Sequence, residues 1–170
     1  LTGAVLSLAM TTPMFAQSVA GPYLAARSAA IHSDFEQAAD YFTQALTRDP
    51  QNVQLRDSAL VAQLSLGRLD RALPIARVMD SSGQASQVAQ LVLTTDLVRR
   101  KDFQTLLDRT REGQRIGPLV DGLVEAWSLM GLGEVSAALA RFDEIAEQEG
   151  LNAFALFHKA MALASVGDFE

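Results

Sequence analysis

Few residues in this sequence have the types and spacing needed for chemistry. Asp143, Glu144, Glu147 and Glu149 form an acidic cluster, and Glu144 and Glu147 lie three residues apart, on one face of a helix. Such carboxylates could bind a metal ion or act as a general acid and base. Acidic residues along one face of a helix are normally exposed to solvent. We therefore interpret the cluster as part of the protein surface and predict no metal site.

Cysteine and histidine are scarce. The 170 residues include no Cys and two His. The absence of Cys excludes disulfides, thiolate zinc sites, Cys nucleophiles and lipid attachment through Cys. His158 has neither a second His nor a carboxylate at ligand spacing, and His32 directly precedes a turn. We interpret both as packing or surface residues, and we predict no catalytic residue and no cofactor.

The one basic run is Arg99-Arg100-Lys101, within a chain of formal net charge -6. Nucleic-acid binding needs clustered cations, commonly interleaved with aromatic residues, and no such pattern occurs here. Cations also suit a helix C-terminus. Gly131-x-Gly133 follows no predicted strand, so we interpret it as a loop and not a phosphate cradle. The sequence predicts no nucleic-acid partner and no small-molecule substrate.

The N-terminal residues are typical of a targeting segment. Leu1 to Met10 is apolar and uncharged, and small residues and Pro follow it. This pattern predicts a signal peptide, already truncated, over residues 1–20, with cleavage after Ala16 or Ala20. Polar residues make the stretch a poor membrane span, and a short N-terminal helix is the other alternative. The signal predicts export to the periplasm or cell envelope, with membrane contact only if the segment is retained.

A regular period organises the remaining chain. An apolar residue follows each predicted turn at Phe35, Leu69, Phe103, Val135 and Phe169, at intervals of 34, 34, 32 and 34 residues. A recurring period of this length is the signature of a repeat architecture, in which each unit buries its apolar face only by stacking on its neighbours.

Within each period the apolar residues have helical spacing. Phe35, Ala38 and Phe42 begin one such stripe. A capping box of Ser33 and Glu36 would start this helix, and Asp49-Pro50 would end it. Pro74 is expected in the first turn of its helix. Further helices are predicted over 54–66, 88–100, 119–132, 135–146 and 153–166, and no segment shows the alternation of a strand.

These features resemble the tetratricopeptide repeat family, in particular exported bacterial members. The residues that carry the resemblance are Phe35, Ala38, Tyr41, Phe42, Asp49-Pro50, Gly67, Ala72, Ala126, Gly133, Ala138, Phe142, Ala160 and Gly167. The resemblance implies an all-α fold, a right-handed α-solenoid of antiparallel helix pairs over residues 21–170. The repeats would span about 19–52, 53–86, 87–118, 119–152 and an incomplete 153–170. Lys101 replaces the usual Gly, and the third repeat is shortened around Gly113 to Pro118.

In this family the first helices line a concave groove that binds a peptide or protein. Carried onto this chain, the groove residues are Tyr23, Arg27, Asp57, Val61, Leu91, Thr95, Leu123, Trp127, Met130, Phe157 and Met161. Only Arg27 and Arg99 could take part in a clamp for a terminal carboxylate, so we do not expect that type of binding. Trp127 either anchors a ligand or packs between repeats.

The resulting hypothesis is a non-enzymatic interaction scaffold for a protein or peptide partner. The alternative is a regulatory or substrate-recruiting arm of a larger enzyme whose catalytic domain lies beyond Glu170. The array stops where a second helix of the fifth repeat would begin, which predicts a longer solenoid. The last helix would then leave Phe154, Phe157, Met161 and Leu163 partly uncovered, and self-association through that end is a third possibility.

Overall fold

The fold is a stack of helical pairs, as the sequence predicts. A computed structural model of the protein describes residues 18–167, and in this range every regular element is a helix and none is a strand. The helices are α1 Ala20–Ile31, α2 Phe35–Arg48, α3 Val53–Ser65, α4 Leu69–Ser81, α5 Gln87–Arg99, α6 Phe103–Arg111, α7 Pro118–Gly131, α8 Val135–Ala146 and α9 Asn152–Ser165. The predicted helix bounds agree with these to within about a residue.

The turn inside each pair has one backbone signature. A residue with positive φ stands two residues before the second helix, at Ser33, Gly67, Lys101 and Gly133, and Gly167 follows α9 in the same way. The left-handed conformation satisfies the last carbonyls of the first helix and reverses the chain. Lys101 adopts it at φ 55°, although this conformation is unfavourable for a residue with a Cβ. The 34-residue period is therefore a period of left-handed turns.

The predicted cap of α2 and the predicted place of Pro74 in its helix are wrong. Ser33 does not cap α2, because it occupies the left-handed turn position at φ 59°. Asp34 is the cap instead, and its carboxylate accepts a hydrogen bond from Gln37 N at 3.1 Å. Pro74 is the sixth residue of α4 and so lies beyond the first turn. Its missing N–H removes the helical partner of the Asp70 carbonyl, but both residues are exposed.

Small residues allow the helices of the α-solenoid to pack closely. Each helix contacts the next along the chain, and α3 also packs on α5 and α7 on α9. By contrast, α1 and α3 make few or no close backbone contacts, and the same is true of α5 and α7. The fully buried alanines are Ala26, Ala38, Ala39, Ala45, Ala59, Ala72, Ala76, Ala89, Ala126, Ala138, Ala155 and Ala162.

The third pair is shortened in its second helix. Helix α6 has 9 residues, whereas α2 and α4 have 14 and 13. The deficit therefore precedes the predicted region of Gly113 to Pro118. The prediction of a loop at Gly131 is wrong, because Gly131 is the last residue of α7. It lies against the ring of Phe103. A Cβ at this position would overlap the Phe103 ring carbons, so glycine allows α6 and α7 to approach.

The predicted signal segment falls mostly outside the described residues, which begin at Ser18. The described chain then enters α1 at Ala20, and Arg48 of α2 donates a hydrogen bond to the carbonyl of Ser18 at 3.0 Å. No helix in the range 18–167 has the length and apolar character needed to cross a membrane.

Candidate functional site

The first helices of the successive pairs form one surface of the protein. At two places neighbouring first helices do not pack against each other, and a groove lies between them. We call the surface formed by α1, α3, α5, α7 and α9 the first-helix face. The groove between α1 and α3 is the N-terminal groove, and the one between α5 and α7 is the central groove. They occur at the two places where successive first helices do not pack together.

The N-terminal groove has a volume of about 590 Å³ and contains three of the predicted residues, Tyr23, Arg27 and Asp57. The edge of Tyr23 packs against Phe42, with ring centroids 6.5 Å apart. The guanidinium carbon of Arg27 lies 6.0 Å from the centre of the Tyr23 ring, a geometry that favours a cation over an aromatic face. This groove therefore presents an exposed cation beside an aromatic ring.

Asp57 is already engaged within the fold. Its carboxylate accepts a hydrogen bond at 2.5 Å from the hydroxyl of Ser86, the N-cap of α5. Val61 lies one turn further along α3, and an adjoining cleft of about 270 Å³ contains both residues together with Phe35. The N-terminal groove thus becomes more apolar toward the C-terminal end of α3.

The central groove is smaller, about 290 Å³, and almost entirely apolar. Of the predicted residues it contains Leu123 and Trp127. The full lining is Val98, Phe103, Leu106, Val120, Leu123, Val124, Trp127 and Ser128. Val98 and Val120 are 48% and 36% exposed, so an incoming side chain could reach them directly. An open apolar groove of this kind is typical of a docking site for a peptide or helix.

Trp127 takes part in both the groove and the packing between pairs. Its ring makes an edge contact with the buried Phe142, with centroids 5.8 Å apart at 74°. Its Nε1 donates a hydrogen bond to Nδ1 of His158 on α9 at 3.1 Å. The side chain is half-buried and one part of it lines the central groove. The two interpretations of Trp127 are therefore compatible.

The other predicted residues lie outside the grooves. Leu91 and Thr95 are exposed on α5, where the Thr95 hydroxyl donates to the Leu91 carbonyl at 2.8 Å. Met130 is partly buried against the core formed by α7, α8 and α9. Phe157 and Met161 are exposed on α9, as the sequence predicts for this helix.

Several groove residues were missed by sequence reasoning. Gln54 and Ser58 line the N-terminal groove, and Val98, Phe103 and Val120 line the central groove. Val98 follows Leu91 by seven residues and so lies on the same face of α5. This spacing could have identified Val98 as a groove residue from the sequence. Phe103 gave no such signal, because it belongs to a second helix; Phe35, at the corresponding position of α2, lines the cleft that adjoins the N-terminal groove.

Two residues of the acidic cluster and both histidines make contacts within the fold. Asp143 pairs with Lys159 at 2.7 Å, and Glu144 pairs with Arg141 at the same distance. His32 donates through Nδ1 to the carbonyl of Ser28 at 2.8 Å. Within residues 18–167, no three or more His, Cys, Asp or Glu side chains are grouped so that they could hold a metal ion.

Two arginines take part in buried or half-buried networks. Arg109 donates to both oxygens of Asp80, at 3.0 and 3.2 Å, and to Gln90 at 2.8 Å. These hydrogen bonds hold the pKa of Asp80 below its usual value, although burial opposes the shift. Burial lowers the pKa of Arg141, but its bonds to Glu144 and Glu125 outweigh this effect and raise it. The Asp80–Arg109 network joins α4 to α5 and α6 of the next pair, whereas Arg141 joins α8 to α7 of its own pair.

Comparison with known families agrees with this architecture. The model of the tetratricopeptide repeat matches residues 23–86 and 123–170, well over half of the chain. The chain belongs to the tetratricopeptide repeat family. No curated protein matches it. The unmatched stretch, 87–122, contains Lys101 and the short α6, the features by which the third tetratricopeptide repeat departs from its neighbours. Tetratricopeptide repeats generally bind proteins or peptides and are typically non-catalytic.

Proposed function

We propose that this protein is a non-catalytic scaffold that binds a peptide or protein segment along the first-helix face. The observation that carries the proposal is the central groove, where Val98, Val120 and Leu123 leave an apolar surface open beside Trp127. Apolar anchors seated in such grooves supply most of the energy of a typical interface. The N-terminal groove adds polar groups that would orient the same ligand.

Exposed groove positions give a cleaner test than Trp127. Trp127→Ala would remove the contact with Phe142 and the bond to His158, so a loss of binding could result from a loss of fold. Val98 and Val120 are substantially exposed, and changes there have little effect on stability. Placing Asp at both positions puts charge into the groove, where an apolar ligand side chain would have to desolvate it.

The experiment selects peptide ligands from a random display library against the 170-residue chain. Selected peptides are then titrated against the chain, against Val98→Asp/Val120→Asp and against Val78→Asp. Val78 is the matched control because it is 49% exposed but lies on α4, a second helix. We expect the groove variant to bind at least about tenfold more weakly, and the control to bind like the parent. Equal binding by all three proteins would refute the proposal.

We also propose that the protein is exported to the periplasm or cell envelope. The support is the uncharged apolar stretch of Leu1 to Met10 with the small residues that follow. Mass spectrometry of the mature protein from its native host tests this directly. Cleavage after Ala16 or Ala20 is the expected result, and a mature chain that retains residues 1–16 would contradict it.

A further inference from the structure

A basic run of the chain adjoins the lining of the central groove. Val98 and Phe103 both line the groove, and the basic run Arg99-Arg100-Lys101 lies between them in the chain. Arg100 is paired with Asp96 at 3.2 Å. Arg99 and Lys101 are exposed, and neither makes an ion pair within residues 18–167.

The position of these two cations follows from the helix geometry. Arg99 is four residues after Thr95 and so lies on the same side of α5, on the first-helix face. Lys101 occupies the left-handed turn that leads into α6. Val98, which lines the groove, directly precedes the run, and Phe103, which also lines it, follows two residues after Lys101.

Three acidic side chains of α5, α6 and α7 make contacts within the fold. Asp96 pairs with Arg77 and Arg100. Asp102 caps α6, accepting a hydrogen bond from Thr105 N at 3.3 Å. Asp121 is 94% buried and accepts from Ile116 N at 2.8 Å. Arg99 and Lys101 therefore lack an ion-pair partner within residues 18–167, beside a groove whose lining has no charged side chain, although the whole chain carries a formal net charge of -6.

We propose that the central groove binds a peptide segment with a large apolar side chain flanked by acidic side chains. The apolar side chain lies against Leu123 and Trp127, and the acidic residues face Arg99 and Lys101. The groove volume of about 290 Å³ lies near the lower limit of ligand pockets, which suits a short apolar anchor. This inference rests on the proposed function and specifies the chemistry of the partner.

Short synthetic peptides test this chemistry directly. Three peptides share one Leu-Phe pair, lack Trp, and are flanked by Glu, by Gln or by Lys. All are acetylated and amidated, so that side chains carry the only charges. Trp127, the single Trp of the chain, reports docking through its fluorescence. We expect the Glu peptide to bind roughly threefold more tightly than the Gln peptide, with the Lys peptide weakest, and added salt to reduce this preference.

Reversing the charge of Arg99 and Lys101 tests whether these two residues cause the preference for acidic peptides. In Arg99→Glu/Lys101→Glu the order of the three peptides should invert. Arg71→Glu/Arg111→Glu makes the same change in net charge at exposed positions on α4 and α6, and should keep the original order. An order that is the same in all three proteins, or no binding by any peptide, overturns the inference.

The library selection of the preceding subsection separates the two proposals. Ligands that need Val98 and Val120 but carry no excess of acidic residues would overturn this inference and leave the proposed function intact. Selected ligands that are indifferent to both valines would overturn the proposed function itself.

Discussion

Nε1 of Trp127 lies 3.1 Å from Nδ1 of His158, and this hydrogen bond joins the fourth helical pair to α9, 31 residues further along the chain. The imidazole must accept at Nδ1, which requires that nitrogen to be unprotonated. The bond places the indole edge toward α9 and leaves part of the ring at the central groove. The same residue thus links the stacking of pairs to the surface that we propose binds a ligand.

Removing the hydrogen-bond acceptor, His158, should weaken the packing of α9 against α7. His158→Leu leaves the half-buried indole N–H without its partner, and we expect the free energy of unfolding to fall by about 1 kcal/mol. The emission maximum of Trp127 should shift as well. Chemical denaturation followed by fluorescence measures both quantities. His32→Leu is the control, since His32 is exposed and bonds only within its own helix end. A parent-like His158 variant would show that the bond contributes nothing.

The contact of Gly131 with Phe103 predicts a strong size effect. Gly131→Ala places a Cβ into the Phe103 ring, and the required shift should lower the free energy of unfolding by about 1–3 kcal/mol. Phe103→Leu in the same chain should restore part of the loss. The control is Gly21→Ala, because Gly21 is helical and a Cβ there meets nothing within 4 Å. If both alanine variants were equally stable, the close approach of α6 and α7 would be wrong.

The Asp80–Arg109 pair predicts a dependence of stability on pH. The pKa of Asp80 is lowered in the folded state, so its ionised form stabilises the fold at pH values above its unfolded pKa of about 3.9. This contribution is lost as the pH falls through the lower, folded-state pKa. Asp80→Asn should therefore be less stable than the parent near neutral pH, and the difference should shrink on acidification below about pH 4. Asp108→Asn, in an exposed pair, should show little difference at either pH.

The left-handed turns predict that adding a glycine at one turn stabilises the fold and that removing a glycine from another destabilises it. Lys101→Gly relieves a backbone conformation that is unfavourable for a side chain, and we expect the free energy of unfolding to rise by roughly 0.5 kcal/mol after the entropy of the unfolded glycine is counted. Gly67→Ala imposes the same conformation and should lower it by about 1 kcal/mol. Lys101→Ala removes the charge but keeps the strain and serves as the control. If Lys101→Ala raised the free energy of unfolding as much as Lys101→Gly, the effect would come from loss of the charge and not from the backbone conformation.

The local features of this fold were accessible from the sequence. Apolar spacing and turn residues predicted the 34-residue period and most of the helices, because both act over a few neighbouring residues, but no bounds were predicted for α1 or α6. The N-cap of α2 was missed by one residue. Ser33 and Asp34 are both good caps, and only the left-handed turn decides between them.

The grooves could be predicted only in part. Their positions depend on which first helices pack together, and this depends on contacts between residues far apart in the chain. The bond from Trp127 to His158 likewise requires the register between two stacked pairs. These are long-range consequences of packing, so no local pattern encodes them, although Tyr23, Asp57 and Leu123 were placed on the correct helices.

Site-specific photocrosslinking in the native host tests the central claim most directly. A photoreactive amino acid is placed at Leu91, at Val98 or at Val78, three valine or leucine positions that are 46%, 48% and 49% exposed. We expect Leu91 and Val98, on the first-helix face, to crosslink to the same protein partner, and Val78 on α4 not to do so. Crosslinking of that partner mainly through Val78, with none through the two α5 positions, would contradict it.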